Sequence, residues 1–326
     1  MEEYLKIDAH SHLWLRQDTS WNGQAIRTTK NGRSLFLGEE VQMLPPFMTD
    51  GRNTAEVFLS NMDYAQVSAA VVVQEFIDGL QNDYLREVQR RYPERFLCCG
   101  MADILPQLPP PSEGGDSEGG GFYEQVLELI AIDKFRGIAI PAHRLLGQSL
   151  TSEEMMRVFR LMEANHVLLS ITLADDERQT AELREVIQAC PSLKIAIGHF
   201  GMAAPPLTPP WEDPRWREQI LLARHKNVRI ESGGITWLYN SEFYPYPSAV
   251  RAIREAADLV GMDRLMWGSD YPRTITAITY RMSYDFIVKS RELSDDDKRL
   301  FLGENARRFY GFKELVSLPY IKNMSE

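Results

Sequence analysis

Residues 6–14 read KIDAHSHLW and set His10 and His12 two positions apart in a chain of 326 residues that has six histidines. In an extended strand, residues i and i+2 point to one face about 6.5–7 Å apart, so two imidazoles can converge there on one ion or one substrate group. The plainer alternative is a pair of loop histidines. The motif alone leaves both readings open.

Convergence needs a scaffold, and short β-rich runs recur along the chain with helical segments between them. The runs are 4–10, 69–74, 96–103, 135–143, 167–174, 194–201, 228–234 and 265–272. Most are apolar throughout, as strands covered on both faces of a parallel sheet should be. Helical spacing predicts crossovers over 54–65, 80–91, 122–132, 151–165, 178–189, 214–225, 247–260 and 279–291. Thr151 with Glu154 matches a capping box, Gly261 follows the pattern ending at Val260, and Ser294 with Asp297 opens a last helix through Arg308. Strand then helix, eight times over, predicts a (β/α)8 TIM barrel in the α/β class, a single domain over 1–326, with a doubly wound open sheet as the competitor. Two long loops interrupt it. Residues 14–53, after strand one, exceed an ordinary connection and are expected to arch over the catalytic face. Residues 105–121, after strand three, are proline then glycine rich and read as a flexible excursion.

A hydrophobic content of 44% and a charged content of 25% describe an ordinary globular chain. Net charge −10 and a pI near 5.3 argue against a nucleic-acid surface. The start, MEEYLKIDAH, lacks the basic and apolar regions of a signal peptide, and no run of about 18 apolar residues offers a membrane span. The expectation is a cytoplasmic protein acting on a small molecule, without nucleic-acid or membrane partners and with homo-oligomerisation left open. Cys98, Cys99 and Cys190 form no CxxC and no even framework, so they read as reduced, packed thiols.

In a barrel the carboxyl ends of the strands ring one pocket. His10 and His12 end the first predicted strand, His143 the fourth, His199 the sixth and Asp270 the eighth, so four of the six histidines fall on that rim. His166 and His225 close helices instead, where an imidazolium meets the negative end of the dipole. HSH (10–12), GHFG (198–201) and GSDYP (268–272) resemble the amidohydrolase superfamily, specifically its amidohydrolase-2 branch. The similarity extends along the chain through MDYAQVSAAVVVQ, NDYLREVQRRYPERF and GENARRFYGF. The resemblance implies a barrel hydrolase or decarboxylase in which His10, His12 and Asp270 hold a divalent metal. It further implies that Asp270 handles a proton of the attacking water and that His199 orients or polarises the substrate. The chemistry agrees independently: imidazoles with a carboxylate suit zinc first and manganese second, with an open position beside three protein ligands. Water on such an ion reaches a pKa of about 7. Asp270 is suited to accept its proton and His199 to stabilise developing negative charge. The duller roles are a turn carboxylate and a satisfied core imidazole.

Many metal-bearing members carry a histidine at the end of strand five, where this chain reads VLLSITLADD and Thr172 is the nearest candidate. No lysine follows Phe135 on strand four, which argues against a two-metal centre. The expectation is one divalent ion, weakly held or absent. Lactonase-like members lacking the strand-five histidine imply a scheme in which Asp270 activates water directly while His10, His12, His199 and arginines polarise a lactone carbonyl and hold a carboxylate. His143 is read as a substrate contact, a replacement ligand or a structural residue. Arg144 and Arg273 follow strands four and eight and suit a bidentate clamp on an anion, or surface ion pairs. Trp14, Trp237, Tyr239 and Tyr271 suggest an aromatic wall for a ring. The expected substrate contacts are thus His143, Arg144, Thr172, Arg273, Trp14 and Tyr271. The expected function is hydrolysis of a small cyclic ester or amide, a lactone preferred. Non-oxidative decarboxylation of an aromatic or enoic acid is the alternative, and a silent barrel that only binds a ligand is the second.

Overall fold

The computed structural model describes residues 4–21, 23–103, 121–145, 147–174, 176–202, 209–322 and 324. Eight parallel strands pair in chain order: Ile7–Ser11, Ala69–Val72, Phe96–Gly100, Gly137–Ile140, Leu168–Ile171, Ile195–Ile197, Val228–Glu231 and Leu265–Met266. Register is regular where it is longest, with Ile195, Ala196 and Ile197 opposite Val228, Arg229 and Ile230. The first and last strands also meet. The Ala9 N–H donates to the Trp267 carbonyl at 2.9 Å, the Asp270 N–H to the His10 carbonyl at 2.9 Å, and Ser11 bridges Tyr271. These bonds close a (β/α)8 barrel.

Alternate strand residues divide the core. Ile7, Ala69, Val71, Leu97, Ala139, Ala196 and Met266 fill the barrel, with Phe309, Tyr310 and Phe312 packed into the same cluster. Ala70, Val72, Ile138, Leu169, Ile197 and Ile230 face the helices. Those helices, Ala55–Tyr64, Asn82–Arg91, Phe122–Ala131, Glu153–Ala164, Glu177–Ala189, Pro214–Leu221, Pro247–Val260 and Met282–Lys289, follow the strands one for one. Two local expectations are corrected. Ser152, not Thr151, caps the fourth helix by accepting from the Met155 N–H, while the Thr151 hydroxyl pairs with Ser149. The Ser294–Asp297 capping box is present, but the last helix passes through a π turn at Leu300–Glu304 before resuming at Asn305–Tyr310. Gly303 in that turn lies against the Leu5 carbonyl, where a Cβ would collide.

The first long insertion is more ordered than a loop. Strands Asp18–Trp21, Gln24–Thr28, Arg33–Phe36 and Glu39–Gln42 form an antiparallel meander. Its base is pinned where Trp14 and Asn53 exchange backbone hydrogen bonds of 2.9 and 3.0 Å. Antiparallel strands with one wet face alternate polar and apolar residues, which is why this stretch looked merely polar in sequence. The excursion expected at 105–121 lies, apart from Gly121, outside the described residues. Among the described residues no helix is long and apolar enough to cross a membrane, and all three cysteines are free and buried.

Candidate active site

Simple alternation along the first strand would turn His10 and His12 to the side occupied by Asp8. The structure departs from it. Asp8 pairs with Ala70 and Ser11 with Val72, so the first strand has one extra residue between them. Such a bulge re-aims the side chains that follow. Asp8 faces away from the mouth and takes hydrogen bonds from the Ser269 N–H and hydroxyl and from the Tyr280 hydroxyl. His10 and His12 point into the mouth with their Nε2 atoms 3.1 Å apart.

Asp270 joins them from the eighth strand. Its Oδ1 lies 3.2 Å from His12 Nε2 and 3.6 Å from His10 Nε2. A tetrahedral zinc with ligand bonds of 2.0–2.1 Å sets its ligand atoms about 3.3 Å apart. The triangle of 3.1, 3.2 and 3.6 Å fits that spacing. His10, His12 and Asp270 are all buried, and their donor atoms could hold one ion. The far side of each imidazole supports the same reading. His10 Nδ1 hydrogen-bonds Glu231 Oε1 at 2.6 Å, and His12 Nδ1 lies 3.0 Å from Asp78 Oδ2. The Glu231 bond fixes on His10 the tautomer that leaves its Nε2 lone pair free for a metal, and Asp78 sets a carboxyl group beside the corresponding nitrogen of His12. Three carboxyl groups around two imidazoles leave negative charge to be balanced, by an ion or by protons. Burial opposes a charged imidazole, yet Glu231 outweighs it and raises the His10 pKa. Asp78 and Asp270 do so more strongly for His12. Burial likewise pushes Asp270 upward, but the hydrogen bond from His12 and the surrounding imidazoles bring it below the usual carboxylate range.

Sequence reasoning overlooked Glu231 and Asp78. Glu231 ends the seventh strand, so the rule that selected the histidines would have found it had carboxylates been sought at every strand end. Asp78 sits in the short 3-10 turn Phe76–Asp78 and shares its capping box with Glu75, a position no strand-end rule reaches. The glycines nearby have a clear purpose. A Cβ on Gly198, Gly233 or Gly268 would come within 2.9 Å of the Glu231 carboxylate. His199 and Asp270 both take left-handed backbone, φ 54° and 57°, a conformation non-glycine residues adopt at a cost. His199 Nδ1 bonds the Gly233 carbonyl at 2.9 Å. A carbonyl only accepts, so Nδ1 carries the hydrogen and the neutral ring presents a lone pair at Nε2. Burial and the neighbouring His10 hold His199 below its ordinary pKa.

Above these groups opens a cavity of about 560 Å³ lined by His12, His199, Asp270, Trp14, Trp237 and residues of the rim and meander. The Trp237 indole N–H donates to Asp270 Oδ2 at 2.5 Å. His143 and Arg144 line the cavity beside Glu75, at 3.5 and 3.8 Å. Burial and Arg144 push His143 down to about 3, so it is neutral. Arg273 stacks its guanidinium 3.8 Å from the Trp237 ring centroid. Two expected contacts lie elsewhere. Tyr271 is fully buried and stacks on Phe58 with centroids 4.0 Å apart, because the chain turns it to the helix side of the wall. Thr172 lines only a crevice of about 10 Å³ beneath the histidines. Tyr239 is buried in the apolar core rather than on the cavity wall.

The family model described as Amidohydrolase matches residues 7–312. An L-fucono-1,5-lactonase of Burkholderia ambifaria is 26% identical over 319 residues, covering 94% of this chain and 95% of that protein. A probable 2-pyrone-4,6-dicarboxylic acid hydrolase of Acinetobacter baumannii, solved with citric acid bound, matches with TM-score 0.66 at 19% identity, covering 94% of this chain and 99% of its own. A 5-carboxyvanillate decarboxylase of Novosphingobium aromaticivorans, solved with manganese and 4-hydroxy-3-methoxy-5-nitrobenzoic acid, matches with TM-score 0.59 at 18% identity, covering 94% and 96%. At these identities the solved structures speak for the fold.

Proposed function

Because the chain belongs to the amidohydrolase family, we propose that it hydrolyses a small lactone carrying a carboxylate, using Asp270 as the base. The observation that carries this reading is Asp270 itself, directed by one oxygen at two imidazoles and by the other at an indole N–H. The lactonase relative supports the reaction class.

His10, His12 and Asp270 would hold one divalent ion, zinc by the character of the nitrogen-rich donor set, with manganese second. When bound, the ion supplies Lewis-acid polarisation of the ester carbonyl. Asp270 takes the proton of the attacking water at the carboxylate oxygen that Trp237 steadies, and returns it to the departing ring oxygen. His199, with its hydrogen committed to Gly233, accepts the second hydrogen of that water at Nε2 and so aims its lone pair. Arg273 pairs with no carboxylate among the described residues and is free to receive the substrate carboxylate, with Arg144 and neutral His143 as further contacts.

Asp270→Asn should lower kcat by roughly 10²–10⁴-fold, the usual range for a lost general base. Turnover is followed by acid release from six-membered lactones, and substrate binding by tryptophan fluorescence. Carbon dioxide release in place of ring opening, or undiminished turnover by the variant, would overturn the proposal.

A further inference from the structure

Phe36, Val41 and Met43, from the meander and the residue after it, line the cavity with Ile77 from the 3-10 turn. All four are partly exposed, and none belongs to a packed apolar cluster of the described residues. The register explains how they come to be there. Phe36 pairs with Ile26 and Val41 with Ser34, so these four share one face of the sheet. Ile26 and Ser34 are buried, so that face is turned inward. Arg33 and Glu40 belong to the other face and pair with each other at 2.6 Å. Gln42 lines the cavity beside them, but its amide nitrogen is committed to the Asn31 and Leu44 carbonyls, so the meander offers the cavity a mainly apolar ceiling, with Trp21 packed edge-to-face on Phe76 at 5.1 Å. The same cavity carries the Arg144 and Arg273 guanidinium groups. At about 560 Å³ it falls among pockets for drug-sized ligands, with more room than a bare six-membered ring requires.

We propose that the meander is a specificity element and that the preferred substrate is an amphiphilic lactone. Its carboxylate meets Arg273, and a hydrocarbon substituent, alkyl or aryl, packs under Phe36, Val41, Met43 and Ile77. This rests on the lactonase reading above and narrows its substrate class. A polyhydroxylated sugar lactone would set hydroxyls against four side chains with no hydrogen-bonding group, and those hydroxyls would lose their water partners. Buried methylenes, by contrast, gain from leaving water.

The test compares two δ-lactone carboxylates, one bearing a butyl chain and the other ring hydroxyls. The wild-type ratio of kcat/KM, butyl over hydroxylated, should be about 10–100, the discrimination an apolar pocket achieves. Phe36→Ala and Met43→Ala should each lower that ratio several-fold, mainly through KM for the butyl compound. A ratio of one or below, or a ratio unmoved by both variants, overturns the proposal. A second arm needs no turnover: the butyl and hydroxylated tetrahydropyran-2-carboxylates, which lack the ester, are titrated against tryptophan fluorescence. Tighter binding of the butyl compound, lost in Phe36→Ala, supports the ceiling even if no lactone is hydrolysed. Failure of all lactones thus sinks the catalytic reading, and equal binding of the two ethers sinks this one.

Discussion

The imidazoles of His10 and His12 are as much products of their partners as of their own positions. Glu231 holds His10 Nδ1 at 2.6 Å, so Glu231→Gln should leave the fold intact but weaken zinc binding by about 10–100-fold. Competition with a chromophoric chelator measures this, and unchanged affinity would mean the carboxylate does not orient the ring. Glu75 makes a different prediction. Burial pushes its carboxyl up to about 7, against the opposing charge of Arg144. The folded chain then holds a proton that the unfolded chain has released between pH 4.5 and 7, so this group makes stability fall as pH rises through that window. Glu75→Gln removes the dependence. Its stability relative to the parent should rise across pH 4.5–7 by at most about 3 kcal/mol and level off above, as urea unfolding at several pH values would record. A parallel pair of curves would contradict the assignment.

Elements decide where those residues can act. The bulge in the first strand separates Asp8 from the histidines that simple alternation would group with it. The eighth strand contributes a complementary constraint at Gly268. A Cβ there would stand 2.8 Å from His10 Cβ and 3.1 Å from its backbone nitrogen, neither of which can swing aside. Gly268→Ala should therefore destabilise the chain by about 1–3 kcal/mol and displace His10, lowering both the thermal midpoint and metal uptake. Normal uptake with normal stability would show that the strands relax more easily than their packing implies. The meander follows the opposite logic. Its inward face brings Phe36 and Val41 to the cavity and its outward face carries the Arg33–Glu40 pair, so its effect belongs to substrate choice.

The site exists only when the barrel is closed. His10 and Asp270 are 260 positions apart in sequence, and the contact between the first and eighth strands brings them together. An ion held by both strands should therefore stabilise the whole chain. With zinc at 100 times its Kd, linkage adds about 2.7 kcal/mol, roughly 5 °C in a protein of this size. Calorimetry before and after chelation should register that loss, with recovery on zinc addition. A midpoint indifferent to zinc would argue for the metal-free use of Asp270.

Strand and helix order was legible in the sequence because each depends on local pattern: apolar runs for buried strands, 3.6-residue spacing for helices, glycine and capping boxes at the ends. His10, His12, His199 and Asp270 were legible as rim residues for the same reason, since a strand's carboxyl end is a local feature. What the tertiary structure alone decided depends on neighbours. A single extra residue in the first strand altered which side chains face the mouth, and the barrel wall turned Tyr271 onto Phe58. Asp78 and Glu231 entered the site because their backbones happen to end beside the imidazoles. The meander's ceiling is likewise invisible in sequence, because pairing Phe36 with Ile26 is a matter of register, and register is set by the strand alongside.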